Sequence, residues 1–305
     1  MGRADRFRNR KHDESAGSAM TRSTLILIAT VVFLGVIAVI LLIYFPSPGG
    51  RMLTAALPLS KHEPFTYTFA VDGVLQEAGS PQESTSPYWW LNSGGLLILK
   101  DGVGRTIEGK LDPLDRWRVR YGVSSPTDTE QGAQPQNLFR LITRSQWQHP
   151  RTEVEFFIAA DNRSESPNRN ESNGVLFMSR YKDADTLYYA GVRVDGHAVI
   201  KKKYQGTYYT MAEKPIFPGE YRPGVNLLPQ EVWFALRMET VTREDGVHIT
   251  LLMRDGDSDT WVELLSTVDD GRAYGTPRIE DAGAVGIRTD FMDVRFGEVR
   301  IEEIE

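Results

Sequence analysis

From about Phe65 to the C-terminus, apolar and polar residues alternate with a period of two inside short segments. These segments are rich in Val, Ile, Tyr, Phe and Trp, and clusters of Gly, Asp, Asn and Pro separate them. Successive side chains of a strand point to opposite faces, so the pattern is typical of antiparallel strands with one buried face. It predicts an all-β sandwich or barrel. The predicted strands are Phe65–Val71, Leu96–Leu99, Trp117–Tyr121, Glu153–Ala159, Gly174–Tyr181, Leu187–Val194, Ala198–Tyr204, Val232–Glu239, Val247–Arg254, Val262–Ser266, Ala284–Thr289 and Met292–Ile301.

The alternation also predicts which side chains enter the core. In the strand that starts at residue 153, Val154, Phe156 and Ile158 share one face. Glu153 and Glu155 share the other, so we expect the three apolar residues to be buried. Hairpin turns are predicted at the Asp-Gly pairs 195–196, 245–246 and 255–256.

A different pattern occupies the N-terminal part. Leu25 to Phe45 is a run of 21 residues without charge, Pro or Asn, and it has no polar stripe. As a helix it would span roughly 30 Å, the thickness of a bilayer's hydrocarbon core. A signal peptide has a shorter apolar stretch of about 7–15 residues. We therefore predict an uncleaved transmembrane anchor, with cleavage near Ala55-Ala56 as the alternative.

The flanking charges predict the orientation of this anchor. Residues 1–22 carry six basic and three acidic residues, whereas the stretch just after the anchor has only Arg51 and Lys61 as basic residues. Positive flanks stay in the cytoplasm. We expect a basic cytoplasmic tail (1–22), an anchor in the lipid bilayer (23–45), a linker (46–62) and a periplasmic or extracellular domain (63–305).

The amino-acid composition excludes several classes of functional site and partner. The chain has no cysteine, which excludes disulfides, Cys-ligated zinc, iron–sulfur clusters and thiol nucleophiles. Its formal net charge of -6 argues against nucleic acid as a partner, because sequence-independent binding to phosphates needs clustered Lys and Arg.

Four stretches between about residues 87 and 303 occur in an order that resembles the concanavalin A-like jelly rolls, the superfamily of laminin G-like modules, legume lectins and many glycan-active enzymes. The resemblance implies a jelly-roll sandwich, and it leaves function open because that fold carries binding modules and enzymes alike. The stretches are YWWLNSGGLLIL, GVLFMSRYKDADTLYYAGVRVDGHAVIKKKYQGTY, EVWFALRMETVTREDGVHITLLMRDGDSDTWVELLSTVDD and AGAVGIRTDFMDVRFGEVRIEEI.

Catalytic residues, if the domain is an enzyme, are predicted at Arg151, Glu153 and Glu155. The resemblance to glucan hydrolases implies paired carboxylates on one strand face, but the middle and last acids of their motif are missing here. The resemblance to jelly-roll alginate lyases implies that Arg151 neutralises a uronate while Tyr189 or Tyr204 removes a proton. The other two lyase motifs are absent.

Carbohydrate binding without catalysis is the leading hypothesis, with polysaccharide or cell-wall glycan as the partner. Aromatic rings stack on the C–H faces of sugars, and polar side chains pair with their hydroxyls. A protein-interaction module of an envelope complex is the third alternative. The predicted ligand-binding residues are Trp147, Tyr189, Arg193, Lys201 and Tyr204.

No cofactor is expected except for one structural calcium ion. Asp255, Asp257 and Asp259 place carboxylates at alternate positions, a donor set that suits an oxygen-seeking cation. Asp293 is the fourth predicted ligand. A polar hairpin turn is the simpler interpretation of residues 255–259, and the calcium site is the alternative.

Overall fold

Two antiparallel β-sheets pack face to face in the computed structural model, which describes residues 64–256 and 258–305. The predicted all-β sandwich is confirmed. The predicted tail, anchor and linker lie outside the described residues. Within the described ranges, no helix is both long enough and apolar enough to cross a bilayer.

Every strand pair in both sheets is antiparallel, so each inner face supplies alternate residues to one core. The nine-stranded sheet has the order β14 (Val262–Asp269), β13 (Gly246–Asp255), β12 (Trp233–Arg243), β7 (Pro150–Asp161), β16 (Met292–Glu303), β5 (Val103–Arg105), β4 (Leu96–Lys100) and β2 (Gly73–Gln76), and β1 (Phe65–Tyr67) also pairs with β16. The seven-stranded sheet has the order β11 (Thr207–Pro215), β10 (His197–Tyr204), β9 (Thr186–Arg193), β8 (Gly174–Asp183), β15 (Ala284–Asp290), β6 (Leu138–Thr143) and β3 (Trp89–Ser93).

An aromatic cluster joins the two sheets at the centre of the core. The ring centroid of Phe156 on β7 lies 5.8 Å from that of Phe234 on β12 and 5.9 Å from that of Phe177 on β8. Val154, Phe156 and Ile158 are all buried, which confirms the inward face predicted for this strand. Burial of such rings supplies much of the stability of a sandwich that has no disulfide.

The strand predicted at Trp117–Tyr121 is wrong, because these residues lie in helix α1 (Arg116–Ser124). The carboxylate of Asp115 caps the helix by accepting the Trp117 backbone N–H at 2.7 Å. Trp117 and Tyr121 are four residues apart, so both rings fall on one buried helix face. Short 3-10 turns occur at Pro81–Glu83 and Pro135–Asn137.

The chain crosses from one sheet to the other between β3 and β4 through Gly94 and Gly95. Both have positive φ angles, 108° and 79°, a conformation that favours glycine. A Cβ on Gly94 would lie 2.8 Å from the ring of Phe139. The crossing is therefore specified by the glycine pair that follows β3.

A cationic cleft on the seven-stranded sheet

The outer face of the seven-stranded sheet carries a cleft of about 580 Å³. Side chains from β6, β8, β9, β10, β11 and β15 form its floor, and loop residues between 168 and 173 form one wall. The cleft lining includes four basic residues, Arg140, Arg193, Lys201 and Arg288, and two tyrosines, Tyr189 and Tyr208.

Three of the predicted ligand-binding residues lie in this cleft. Tyr189 and Arg193 are four residues apart on β9 and therefore share a face. Lys201 on β10 pairs directly with Tyr189 across the strands. The hairpin between β9 and β10 turns at Asp195-Gly196, and Gly196 takes a φ of 82° there. Local alternation and one tight turn are thus sufficient to bring these three side chains together.

Arg140, Tyr208 and Arg288 were absent from the predicted site. Arg140 lies on β6, a strand missing from the sequence-based prediction, and it pairs directly with Arg288 on β15. The alternation in this strand gives the outward position of Arg140, since the adjacent Leu141 is fully buried. The pairing itself joins residues almost 150 positions apart in the chain, and no local pattern predicts it.

Two of the four cations are held by carboxylates. Arg193 donates to Asp195 and lies 2.8 Å from Glu213, and the Arg288 Nε donates to Asp290 at 2.9 Å. Side chains of the other two, Arg140 and Lys201, make no hydrogen bond or ion pair within the described ranges.

Burial, together with the neighbouring charge of Arg193, lowers the pKa of Lys201. The lowered pKa means that the protein stabilises a positive charge at this position less well than water does.

The two cleft tyrosines stack on each other, with ring centroids 6.2 Å apart and planes inclined by 22°. Tyr189 is covered and only 5% exposed, whereas Tyr208 is 51% exposed. Burial raises the pKa of Tyr189, so its phenol keeps its proton at neutral pH. Lys203 lies over the Tyr208 ring, 4.8 Å from the centroid. Tyr208 is therefore the more exposed of the two cleft tyrosines.

Amide and hydroxyl groups form the loop wall of the cleft. Asn168, Asn170 and Ser172 all line it. The carboxylate of Asp128 at its edge accepts hydrogen bonds from Ser166 and Asn168, which fixes this part of the loop. The wall offers donors and acceptors of the kind that pair with hydroxyl groups.

Trp147 and Tyr204 lie outside the cleft, so their predicted role in binding there has to be corrected. Trp147 is only 3% exposed and packs in the core between the sheets. Tyr204 follows the inward alternation of β10, packs against the same core, and has Lys202 over its ring at 5.5 Å. The period-two pattern accounts for Tyr204, whereas Trp147 lies in the connection between β6 and β7 and pairs with Gly283 in an isolated bridge.

Arg151, Glu153 and Glu155 lie together on β7, but on the outer face of the other sheet. All three take part in a ladder of ion pairs across neighbouring strands. The pairs are Arg151–Glu239 at 2.7 Å, Arg151–Glu302 at 2.8 Å, Glu153–Arg237 at 2.7 Å and Glu155–Arg254 at 3.1 Å. This arrangement is typical of cross-strand charge pairing.

The predicted calcium ligand Asp293 does not fit a cation site. It is buried, and its carboxylate accepts N–H groups from Gln136 at 2.8 Å, Asn162 at 2.7 Å and the Gly109 backbone at 2.6 Å. N–H donors thus take the positions that a metal would need. Asp257 lies outside the described residues, and the backbone oxygen of Asp255 accepts the Ser258 N–H in a turn.

A second acidic cluster, Asp195, His197 and Glu213, brings potential metal-ligand atoms within 4.8 Å of one another. The guanidinium of Arg193 already bonds both carboxylates. Because a cation of the protein occupies the centre of this cluster, a metal ion would first have to displace Arg193.

No family model and no curated protein matches the sequence. Among solved structures, the carbohydrate binding module CBM66 from Bacillus subtilis is 15% identical, with a TM-score of 0.38 over 54% of this chain and 82% of that protein. The winged bean acidic lectin complexed with methyl-alpha-D-galactose is 10% identical, with a TM-score of 0.42 over 78% of this chain and 98% of the lectin. The GH43 protein BlXynB from Bacillus licheniformis is 11% identical, with a TM-score of 0.42 over 78% of this chain, which spans 39% of its length.

Proposed function

We propose that the protein is a membrane-anchored, extracytoplasmic jelly-roll module that binds carbohydrate in the cleft of the seven-stranded sheet, without catalysis. The observation that carries this proposal is the half-exposed ring of Tyr208 beside two cations, Arg140 and Lys201, whose side chains have no protein partner within the described residues. Such a ring supports the C–H face of a sugar, while the free donors reach its oxygen atoms.

The lining of the cleft supports a sugar as the ligand. Asn168, Asn170 and Ser172 line the cleft together with the polar side chains of the strands. Many hydrogen-bonding groups around one exposed ring suit a carbohydrate better than a compact apolar ligand.

In this proposal, the predicted anchor determines on which side of the membrane the module lies. The apolar run from Leu25 to Phe45, with six basic residues before it, would hold the N-terminus in the cytoplasm and residues 63–305 outside. Cell-wall or extracellular polysaccharide is then within reach of the cleft.

A polysaccharide lyase is the second candidate, and the cleft itself favours it over a hydrolase. Elimination needs a cation beside the uronate carboxylate and a side chain that removes a proton. Arg140 and Lys201 could serve as the cations and the exposed Tyr208 as the base, whereas the covered Tyr189 keeps its proton. The carboxylates predicted for hydrolysis, Glu153 and Glu155, are instead paired with Arg237 and Arg254 on the other sheet.

Retention on immobilised polysaccharides tests the binding proposal. The full chain is purified in a detergent without a sugar headgroup and applied to a panel of neutral and acidic polysaccharides. Tyr208→Ala should weaken retention at least about tenfold, which corresponds to about 1.4 kcal/mol. The matched control is Trp233→Ala, which removes an aromatic ring that is 38% exposed on the opposite sheet. Equal losses in the two variants would refute binding in this cleft.

Product analysis separates binding from cleavage. After long incubation with each retained polysaccharide, we expect neither new reducing ends nor unsaturated sugars, and Glu153→Gln should bind as the parent does. Unsaturated product that disappears in Tyr208→Phe would establish a lyase in the cleft. Product that disappears in Glu153→Gln would establish catalysis on the opposite sheet.

A further inference from the structure

The two arginines that face each other across β6 and β15 are an unfavourable pair. Arg140 and Arg288 are directly opposed in the register, and both line the cleft. Like charges directly opposite each other in an antiparallel pair destabilise a sheet. Asp290 compensates only Arg288. The stability of the sheet therefore gives no reason for a positive charge at Arg140.

Lys201 repeats the same feature on β10. Its side chain has no ion pair within the described part of the chain, and two further cations of the cleft, Arg193 and Arg288, lie near it. The nearby carboxylate of Glu213 is already paired with Arg193. Burial and the charge of Arg193 lower its pKa, so the charged ammonium is less stable here than in water. An anion bound beside it would remove that penalty.

The charge of the cleft is opposite to that of the chain. Four basic and two acidic residues line the cleft, while the formal net charge of the chain is -6. Both acids already have partners: Asp290 pairs with Arg288, and Asp128 accepts from Ser166 and Asn168. The excess positive charge is therefore concentrated at Arg140 and Lys201.

We propose that the cleft selects a glycan carrying an anionic group, a carboxylate or a sulfate, and that Arg140 and Lys201 bind this group while Tyr208 contacts the sugar ring. This inference rests on the proposed binding function and adds the class of ligand. A guanidinium donates two parallel hydrogen bonds to such an oxyanion, and an ammonium adds a point charge. The anion would supply a counter-charge for Arg140 and Lys201, whose side chains have no ion pair within the described residues.

Matched pairs of polysaccharides test the requirement for an anion. The full chain, in the same detergent, is titrated against polygalacturonate and its methyl ester, and against dextran sulfate and dextran. We expect at least one charged polymer to bind ten times more tightly than its neutral partner. The first pair reports on a carboxylate and the second on a sulfate. Added salt should reduce the difference.

Variants that remove charge test whether Arg140 and Lys201 bind the anionic group. Arg140→Gln combined with Lys201→Gln should weaken binding to the charged polymer at least ten times more than it weakens binding to the neutral one, because the variant keeps hydrogen-bonding amides but loses both charges. The control combines Lys100→Gln with Lys110→Gln, two exposed lysines outside the cleft, and removes the same charge.

The melting temperature of Arg140→Gln should stay the same or rise, because one of two opposed charges is lost. Lys201→Arg should retain binding, which guards against a variant that simply misfolds.

The outcomes distinguish this inference from the function on which it rests. Equal binding to charged and neutral partners, or binding only to neutral glycans, would overturn anion selection and leave glycan binding intact. An equal loss in the Lys100/Lys110 control would also overturn it, since the attraction would then be nonspecific. Failure to bind any polysaccharide of the panel would overturn both.

Discussion

Lys202 is a lysine enclosed in the core, between two lysines that face outward. Its ammonium lies 2.8 Å from the carboxylate of Asp269, and both side chains are fully buried. It also donates to the backbone oxygens of Gly275 and Pro277, each at 2.8 Å. These bonds join β10 of one sheet to the end of β14 in the other. They fix the face of β10, so that Lys201 is directed into the cleft.

Tyr188 completes this buried group. Its hydroxyl donates to Asp269 at 2.6 Å and accepts the Ile279 backbone N–H at 3.0 Å. Burial and the hydrogen bond to Asp269 raise the pKa of Tyr188, so the phenol remains a donor at any ordinary pH. A buried ion pair whose remaining hydrogen bonds are satisfied holds one arrangement of the strands.

Breaking this pair should destabilise the protein strongly. Lys202→Met leaves the Asp269 carboxylate buried without its cation, and we expect the free energy of unfolding to fall by about 3–5 kcal/mol. Urea denaturation followed by tryptophan fluorescence measures the change. The control, Glu220→Gln, removes a pair that is 70% and 77% exposed at its two side chains and should cost less than about 1 kcal/mol.

A double variant separates the charge effect from the loss of packing. Lys202→Met combined with Asp269→Leu removes both charges and should recover part of the lost stability. The effect of Asp269→Leu on the free energy of unfolding is therefore measured in the parent and in Lys202→Met. An equal loss in both backgrounds would contradict the coupling of the two side chains.

At the scale of elements, helix α1 supports the crossing between the sheets. The Tyr121 hydroxyl accepts the Gly94 N–H at 2.8 Å and donates to Glu77 at 2.5 Å. Glu77 in turn accepts the Gly95 N–H at 2.8 Å. The helix therefore holds the backbone where β3 of the seven-stranded sheet leads into β4 of the other sheet.

The cap of this helix should contribute measurably to stability. Asp115→Ala removes the acceptor for the Trp117 N–H, and we expect a loss of about 1 kcal/mol in the free energy of unfolding. Asp115→Ser keeps a capping oxygen and should be close to the parent. Chemical denaturation of the three proteins provides the measurement. Equal stability of the Ala and Ser variants would show that the cap is irrelevant here.

At the scale of the whole molecule, the proposed function depends on the anchor that precedes the sandwich. Residues 23–45 lie outside the described residues, and their assignment rests on the length and hydropathy of the segment. The topology matters for function, because a cytoplasmic domain would not meet a cell-wall polysaccharide.

Protease protection tests this topology. In cells whose outer layers have been removed, protease should destroy an epitope at the C-terminus and spare one at the N-terminus, since only residues 63–305 are expected outside. The full chain should stay with the membrane after an alkaline wash. Protection of the C-terminal epitope, or release by the wash, would contradict the predicted anchor.

The antiparallel sandwich and three residues of the cleft could be predicted from the amino-acid sequence. Alternation gives the face of each side chain, and the short turn at 195–196 makes β9 and β10 neighbours, so Tyr189, Arg193 and Lys201 could be grouped by local rules. The same rules failed at Trp117–Tyr121, where the cap at Asp115 and burial of two rings four residues apart favoured a helix.

The tertiary structure alone decided the partners of distant strands. Arg140 and Arg288 became neighbours because β6 pairs with β15, and Asp293 received its N–H donors from three separate segments. Period-two alternation says which face a residue occupies but not which strand lies beside it. That choice comes from packing the whole core, so the cationic character of the cleft became visible only in the folded chain.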